Sequence, residues 1–475
     1  MKNQRFFIIL SLFVLFSSVL YANNIKIDST WIVERNTTEH YYTIGFTLSW
    51  ENSFRDSTNY DAAYIFMKYR KDVAGDTFFH ATLDTLDASH QVWCSTPMTV
   101  DASFEKDNLG TGVMIFRTDT ANTDIACDSV YLRWYYNRGE AMTDADVCTG
   151  IRIFGIEMVY IPEAQFFVGD GASYGYFFRY NKIENPPYQI ASEDSIEIGT
   201  TEGELWADVT PGTLPPAFPK GYAPFYMMRY EITQGQYRDF LMTLDSAGAV
   251  NRYPDHYNSN RYYIRHLGNV YGCDANNNAV LNEPDDGEWI GCGWLEYQWG
   301  FDYLDWAGLR PMTELEFEKA CRGPKYPAAN EYAWGTAGVS KGSLAFAATD
   351  SETVIPDATN SSDNYPYRVG GCAEPTGNRI ESGVSYYGVM DLTASLRERC
   401  ILLSNSYAPS FNFTGNHGDG VLGTSPGWPR SGIRGGDFYE SNNNIAYYRV
   451  SSRYNCYNPT TYYKWGSGFR GVRSP

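Results

Sequence analysis

The chain has 475 residues and a formal net charge of −19, and its aromatic residues include 39 tyrosines and 12 tryptophans. This length allows two domains with proper hydrophobic cores. The acidity makes nucleic-acid phosphates poor partners, and the aromatic content suits both β-rich domains and sugar- or peptide-binding surfaces.

Residues 1–22 have the pattern of a secretory signal peptide. Lys2 and Arg5 precede an apolar run from Phe6 to Leu20, and polar sequence follows it. The run is too short to span a membrane with margin, and we expect no transmembrane span later in the chain. These features predict a secreted, periplasmic or cell-surface protein.

Residues 23–150 contain short apolar and aromatic runs separated by clusters of Asn, Asp, Gly and Ser. The runs are TWIVER, YYTIGFTLSW, AAYIFMKYR, QVWC, GVMIFRTD and DSVYLRWYY. Regular spacing of this kind predicts an antiparallel β-sandwich. Such modules usually bind ligands, act as spacers or dock onto other domains, and we expect a role of this kind here.

The second region, residues 151–475, begins with a predicted strand at EMVYIP. Thr233 with Gln236 and Thr313 with Glu316 form capping boxes of the T-x-x-Q and T-x-x-E type. They predict helices over GQYRDFLMTL and LEFEKACR. Elsewhere in this region we expect little regular structure.

The loop CDANNNAVLNEPDDGEWIGC, from Cys273 to Cys292, is similar to a calcium-binding loop. Its oxygen ligands would be Asp274, Asn276, Asn278, the Val280 carbonyl, Asn282 and Asp285. The sequence departs from that pattern at Ala279, where glycine makes the sharp turn, and at Asp285, where a bidentate glutamate is usual. A hydrophilic turn rich in Asn and Asp is the alternative.

The chain has nine cysteines, an odd number. If the protein is exported, its compartment permits disulfides, and at least one thiol stays free or pairs between molecules. We predict a disulfide between Cys273 and Cys292, which would join the ends of the acidic loop. We expect Cys321, which follows the apolar face of a predicted helix, to be buried and unpaired.

Several phrases of the second region occur together and in order. They are EMVYIPEAQFFVGD, MRYEITQGQYRDFL, LRPMTELEFEKACRG, YAWG, YYGVMDLTASLRERC and an ending from RGG to GFRGVR. In this combination residues 157–475 resemble the formylglycine-generating enzyme (sulfatase-modifying factor) family. The resemblance implies an irregular, loop-rich fold related to C-type lectins. The expected fold class is therefore α+β, with an N-terminal antiparallel β-sandwich followed by this domain.

The resemblance also implies where catalysis would occur. Family enzymes oxidise a sulfatase cysteine with oxygen at a copper ion held by two cysteines shortly after the RGG phrase, and paired thiolates suit copper(I). Counted from Arg434, those positions are Glu440 and Ile445, and neither side chain can be a thiolate. Asp437 replaces the family's serine and Arg397 its tryptophan. We therefore do not expect copper, and a catalytic role is not favoured.

A structural calcium loop is the other feature that the resemblance implies. In YYGVMDLTASLRERC the acidic ligands would be Asp391 and Glu398, and the backbone carbonyls of Ala394 and Leu396 would complete the set. The family's Gly-Asn pair is Ala394-Ser395 here. Two solvated carboxylates without a metal are the alternative.

These features predict a secreted member of this family that acts in binding or assembly. Its partner would be an extracellular protein or a glycan surface. Two alternatives stay open. One is a metal-dependent oxidoreductase of the same family, and the other is a carbohydrate-binding protein in which the β-sandwich holds the sugar.

Overall fold

The computed structural model describes most of the chain outside its first 24 residues. The described ranges are 25–71, 77–103, 110–139, 142–172, 177–180, 186–338, 343–355, 365–373, 378–403, 418–421, 431–438, 445–453 and 465–475. The predicted signal peptide therefore lies outside the described residues. Glu440, at one of the two positions where the family has a copper ligand, also lies outside them, as does Cys456, the last cysteine of the chain.

Strands far outnumber helices in the described residues, which confirms the α+β fold class. The strands are β1 (Lys26–Asn36), β2 (Tyr41–Arg55), β3 (Asp61–Lys71), β4 (Phe79–His80), β5 (Gln91–Cys94), β6 (Met98–Asp101), β7 (Val113–Arg117), β8 (Ala121–Tyr135), β9 (Cys148–Ile161), β10 (Phe166–Val168), β11 (Tyr188–Ile190), β12 (Ile196–Ile198), β13 (Gly212–Leu214), β14 (Phe225–Met228), β15 (Ile264–Leu267), β16 (Val270–Cys273), β17 (Arg310–Pro311), β18 (Ser343–Ala345), β19 (Thr353–Ile355), β20 (Arg397–Ile401), β21 (Ser431–Arg434), β22 (Ser467–Gly468) and β23 (Gly471–Arg473). The helices are α1 (Gln234–Leu241), α2 (Ser246–Arg252), α3 (Tyr297–Trp306) and α4 (Glu314–Arg322), with short 3-10 helices at Asp87–Ser89 and Ile445–Tyr448.

The N-terminal region contributes to two sheets that share one core. A four-stranded antiparallel sheet has the order β1-β2-β8-β5. Its inward side chains, such as Ile44 and Phe46 on β2 and Leu132 on β8, pack with Ile65 and Met67 on β3 of the second sheet. Alternation along these strands places apolar side chains on this face, as expected for half-buried strands.

The second sheet joins the N-terminal region to the rest of the chain. It has eight strands in the order β17-β23-β14-β9-β3-β7-β6, and β4 pairs with β3. Strand β9 runs across the predicted domain boundary: Glu157 pairs with Ala63 on one side, and Met158 pairs with Met228 on the other. The two regions are therefore built on one continuous sheet.

Strand β3 is buried on both faces. Ile65 and Met67 face the core shared with the four-stranded sheet, whereas Tyr64 and Phe66 face the core formed with the helices of the second region. The Phe66 ring lies edge-on to Trp306, with ring centroids 5.1 Å apart. A strand buried on both faces needs both neighbours, so the N-terminal region depends on the second region for part of its core.

A buried lysine also links the two regions. Lys68 of β3 donates hydrogen bonds to the carbonyl oxygens of Trp306 and Gly418, each at 2.6 Å, and its Nζ lies 2.8 Å from Nδ1 of His80. Trp306 is the last residue of α3, where unpaired helix carbonyls favour a cation. Burial lowers the pKa of Lys68.

The two predicted helices are confirmed with their capping boxes. Thr233 and Gln236 cap α1, and Thr313 and Glu316 cap α4. The expectation of little further regular structure is wrong for α3, because Tyr297–Trp306 is a ten-residue helix. Its N-cap, Glu296, makes no capping hydrogen bond, and seven of its residues are buried. Tertiary packing stabilises α3 where local sequence signals are weak.

No helix among the described residues is long and apolar enough to cross a membrane.

Candidate metal centre

The segment that begins at the RGG phrase is held by a buried network of matched charges. Arg434 contacts Glu314 and Glu318, Arg453 contacts Glu314, and Arg322 contacts Glu318 and Glu331. We call these six residues the arginine-matched cluster. Its three carboxylates and three guanidinium groups fix the closing segment against α4. Burial disfavours ionisation of Glu318, but Arg322 and Arg434 outweigh it and lower the pKa of this carboxyl.

Two residues that the family resemblance aligns with tryptophan and serine, Arg397 and Asp437, form a buried ion pair. Nη2 of Arg397 lies 2.9 Å from Oδ2 of Asp437, and both residues are buried. The Tyr448 hydroxyl donates to the carbonyl oxygen of Asp437 at 2.6 Å, and Ile445 begins the 3-10 helix that contains Tyr448. An arginine with a carboxylate lacks the soft sulfur ligands that copper(I) prefers.

The predicted disulfide between Cys273 and Cys292 is not formed in the structure. Both residues are buried free thiols, and burial raises the pKa of each. Two hydrogen bonds between Cys273 and Asn282 close the loop instead. The Asn282 side chain accepts from the Cys273 backbone amide at 2.9 Å, and the Asn282 backbone amide donates to the Cys273 carbonyl. Cys321 is a buried free thiol, as predicted.

The predicted calcium loop at 391–398 is a tight turn. Asp391, Ala394 and Ser395 all have positive φ, at 60°, 71° and 58°. Oδ2 of Asp391 accepts from the Gly370 amide at 2.7 Å. Few residue types adopt this left-handed backbone readily, so the loop is held by its surroundings.

Arginine already contacts one of the two acidic ligands predicted for this loop. Arg470 donates to both carboxylate oxygens of Glu398, with Nη2 at 2.6 Å from Oε1 and Nε at 3.1 Å from Oε2. A carboxylate offers about four lone-pair positions. Glu398 could therefore bind a cation as well, but it would share its oxygens with Arg470.

A third carboxylate at this loop, Glu231, was missed by the sequence analysis. Glu231 is fully buried; its Oε1 accepts from the Leu396 amide at 3.0 Å, and its Oε2 has no hydrogen-bond partner. A Cβ at Gly291 would lie 2.8 Å from that Oε2, so glycine is needed there. A charged residue between the apolar Tyr230 and Ile232, just before a helix cap, is the signal that could have revealed it.

We call Glu231, Asp391, Glu398 and Arg470 the acid-rich cluster, because one guanidinium group faces three carboxylates. Burial and the other two carboxylates raise the pKa of Glu231 well above its ordinary value. Burial raises the pKa of Asp391 to about 6, although the Gly370 amide, Arg470 and Arg368 offset part of this effect. Burial also raises the pKa of Glu398 despite the attraction of Arg470. The excess negative charge and the unpartnered oxygen fit a hard cation such as calcium.

Side chains of the other predicted calcium loop form hydrogen bonds and an ion pair within and around the loop. Asp274 is buried and forms an ion pair with Arg265, and its two carboxylate oxygens accept from the amides of Asn278 and Ala279. Ala279 has a φ of 65°, so the sharp turn forms without glycine. Asn276 and Asn278 accept from backbone amides two residues later, and Asn282 accepts from Cys273 and Arg238.

Within this second loop a different set of side chains converges. The carboxylate oxygens of Glu283, Asp285 and Asp286 lie within 4.8 Å of one another. Asp285 belongs to the predicted ligand set, and Nδ2 of Asn276 donates to it at 3.2 Å. Val280, whose carbonyl was the seventh-position ligand, has an exposed side chain. Most of the predicted ligand side chains therefore accept hydrogen bonds within the turn.

A cavity of about 220 Å³ lies between the two regions. Aromatic side chains of Phe154, Trp289 and Trp306 form part of its wall, and Arg238 and Glu288 line it as a contacting ion pair. Cavities at such junctions commonly bind small molecules.

A comparison with known families identifies the second region. The family model described as the sulfatase-modifying factor enzyme 1-like domain matches residues 184–475, which is well over half of the chain. No curated protein matches the chain significantly. The chain therefore belongs to the family of sulfatase-modifying factor enzyme 1-like proteins.

Proposed function

We propose that this protein is a non-catalytic member of its family that acts in binding or assembly outside the cytoplasm. The observation that carries this proposal is the buried Arg397–Asp437 ion pair at the positions of the family's tryptophan and serine. The two groups of this ion pair neither bind copper(I) well nor transfer electrons. Glu440 and Ile445 replace the two thiolates.

The buried charge network supports a protein that keeps the fold of its family without the family's reaction. The arginine-matched cluster fixes the RGG segment against α4 although no thiolate pair follows that segment. The shared eight-stranded sheet makes the N-terminal region part of the same body. A rigid platform of this kind suits presentation of a surface to an extracellular protein or glycan.

Calcium is the structural ion of this proposal. The acid-rich cluster would hold it through Glu231, Asp391 and Glu398 with the carbonyls of Ala394 and Leu396, and its excess negative charge supports this assignment. A second, weaker ion would bind at Glu283, Asp285 and Asp286. Either ion would have a structural role, because it would neutralise carboxylates that the protein brings together.

Elemental analysis of the purified mature protein after exposure to copper and calcium tests the proposal. We expect one or two equivalents of calcium, no retained copper and no oxidation of a cysteine-containing sulfatase peptide. Stoichiometric copper that depends on cysteine, together with peptide oxidation, would establish the rival metal-dependent oxidoreductase. The double variant Glu440→Cys/Ile445→Cys is the matched control, and copper bound by this variant alone would assign the loss to these two positions.

Carbohydrate binding is a second candidate, and the cavity between the regions favours it. Aromatic rings beside charged hydrogen-bonding groups, as in Trp289 with Arg238 and Glu288, suit the apolar faces and hydroxyl groups of a sugar. Titration of the full mature chain with neutral monosaccharides, followed by tryptophan fluorescence, tests this candidate. A response in the parent that is lost in Trp289→Ala would support it, and an unchanged spectrum with every sugar would reject it.

A further inference from the structure

Cys94 and Cys127 lie directly opposite each other on neighbouring antiparallel strands. Cys94 is the last residue of β5, the edge strand of the four-stranded sheet, and it pairs with Cys127 of β8. The ladder has one irregularity just before this pair: Trp93 pairs with Ser129, so Asp128 is the extra residue. The irregularity brings Cys94 opposite Cys127 instead of Asp128.

The spacing of such a pair suits a disulfide. Directly opposite residues of antiparallel strands have Cα atoms about 4.5–5.5 Å apart, and disulfides join Cα atoms about 4.4–6.8 Å apart. The two thiols are in hydrogen-bonding contact, and burial together with the Cys94 thiol raises the pKa of Cys127. Cys94 is half-buried and donates to the Ala126 carbonyl at 3.2 Å, whereas Cys127 is buried.

We propose that Cys94 and Cys127 form a cross-strand disulfide when the protein meets a disulfide oxidant of low molecular weight or a disulfide-bearing oxidoreductase. The more exposed Cys94 thiolate would attack the oxidant, form a mixed disulfide and release one reduced thiol. The Cys127 thiolate then attacks the sulfur of Cys94 and releases the second thiol. Two protein thiols are oxidised, one oxidant disulfide is reduced, and the two protons go to the released thiols.

The other described cysteines do not share this arrangement. Five of them are buried, namely Cys273, Cys292, Cys321, Cys372 and Cys400, so an oxidant would not readily reach any of these thiols for a first attack. Cys148 is half-buried, but its thiol donates to the Gly150 carbonyl two residues away. Selective oxidation is therefore expected at Cys94 and Cys127.

The disulfide would fix the corner at which the chain passes between the two sheets. Strand β5 belongs to the four-stranded sheet, and β6, which starts at Met98, belongs to the eight-stranded sheet. Cys94 is the last sheet residue before this crossing. A covalent link there would hold a short edge strand, which otherwise depends on one four-residue ladder.

Peptide mapping of the full mature protein tests this inference. The protein is incubated with oxidised glutathione, denatured in N-ethylmaleimide without reductant, digested and analysed by mass spectrometry. We expect the Cys94 and Cys127 peptides to be joined, two hydrogen atoms lighter than the sum of the reduced peptides. N-ethylmaleimide on both residues, or a link from either one to a different cysteine, would overturn the proposal.

A thermal measurement on variants provides an independent readout. Reductant should lower the melting temperature of the oxidised parent by several degrees, because the link restricts the unfolded chain. The same shift is expected in the control Cys148→Ser and not in Cys94→Ser. An equal shift in Cys94→Ser would place the reducible bond elsewhere and overturn the assignment.

Discussion

Two buried charge clusters of this protein have similar burial but opposite ionisation behaviour. In the arginine-matched cluster each carboxylate contacts at least one arginine, and the pKa of Glu318 is lowered in spite of burial. In the acid-rich cluster one arginine faces three carboxylates, and burial raises the pKa of Glu231, Asp391 and Glu398. Because buried charges need compensation, the first cluster is complete by itself and the second requires a proton or a cation. Charge balance thus separates the part that holds the fold from the part suited to a ligand.

The largest effect is expected from breaking the arginine-matched cluster. Glu314→Gln removes the charge that Arg434 and Arg453 share, and both guanidinium groups are completely buried. Removing one partner of a buried ion pair costs about 3–5 kcal/mol. We expect the free energy of unfolding, measured in urea, to fall by that amount or the chain to fail to fold.

The matched control for this change is Glu197→Gln, which alters an exposed glutamate that bonds to Thr213. It should change the free energy of unfolding by less than about 0.5 kcal/mol. Equal effects of the two variants would contradict the structural role of the arginine-matched cluster.

The second prediction concerns calcium at the acid-rich cluster. Calcium at one hundred times its dissociation constant should stabilise the parent by about 2.7 kcal/mol. Glu231→Gln keeps an oxygen that can accept from the Leu396 amide but removes a charged ligand, so it should lose most of this gain. Thermal unfolding with calcium and with a chelator measures the difference.

The exposed Glu202 supplies the control, since Glu202→Gln should keep the full calcium response. In the chelator Glu231→Gln should be at least as stable as the parent, because glutamine is neutral without the proton that the buried Glu231 carboxylate needs. A calcium response of parental size in Glu231→Gln would remove this residue from the site.

A third set of buried charges has two carboxylates for one guanidinium group, so its charge balance lies between those of the two clusters. Asp61 and Glu157 both lie against one guanidinium, that of Arg229, and burial with the Glu157 charge raises the pKa of Asp61 to about 7. The folded state keeps a proton that the unfolded chain releases near pH 4. This bound proton therefore contributes fully to the free energy of unfolding below about pH 4. The contribution is lost as the pH rises to 7, by about 1.4 kcal/mol per pH unit.

Asp61→Asn should flatten this pH dependence, whereas Asp128→Asn, a change at an exposed carboxylate, should leave it unchanged. Urea unfolding at pH 5, 6, 7 and 8 gives the slopes directly. The same slope in the parent and in Asp61→Asn would show that another group holds the proton.

The sequence predicted those features that depend on local residue order. The capping boxes at Thr233 and Thr313 are local hydrogen bonds, and both helices begin where predicted. The expectation of no copper also rests on residue identity, because Glu440 and Ile445 have no thiol, and it stays a prediction. Helix α3 could not be predicted in this way, since buried aromatic contacts stabilise it and its N-cap has no capping hydrogen bond.

Pairing between segments that are distant in the chain could not be predicted from the sequence. Strand β9 was recognised in part, but its two partners, β3 and β14, come from the two sides of the expected boundary. Glu231 lies far from Asp391 in the chain, so their shared burial becomes visible only in the fold. The residue spacing in the loop after Cys273 resembles that of a calcium-binding loop. The residue at its first position, Asp274, forms an ion pair with Arg265, and this contact between separate segments is not visible in the spacing.

The smallest effect is expected at the acidic group of that loop. Asp285 is exposed, so hydration already stabilises its charge, and Asp285→Asn should change the metal-free free energy of unfolding by less than about 0.5 kcal/mol. Calorimetric titration should show the weaker calcium step disappear while the step that depends on Glu231 stays. Loss of the stronger step in Asp285→Asn would reverse the ranking of the two sites, because an exposed group would then matter more than a buried excess of charge.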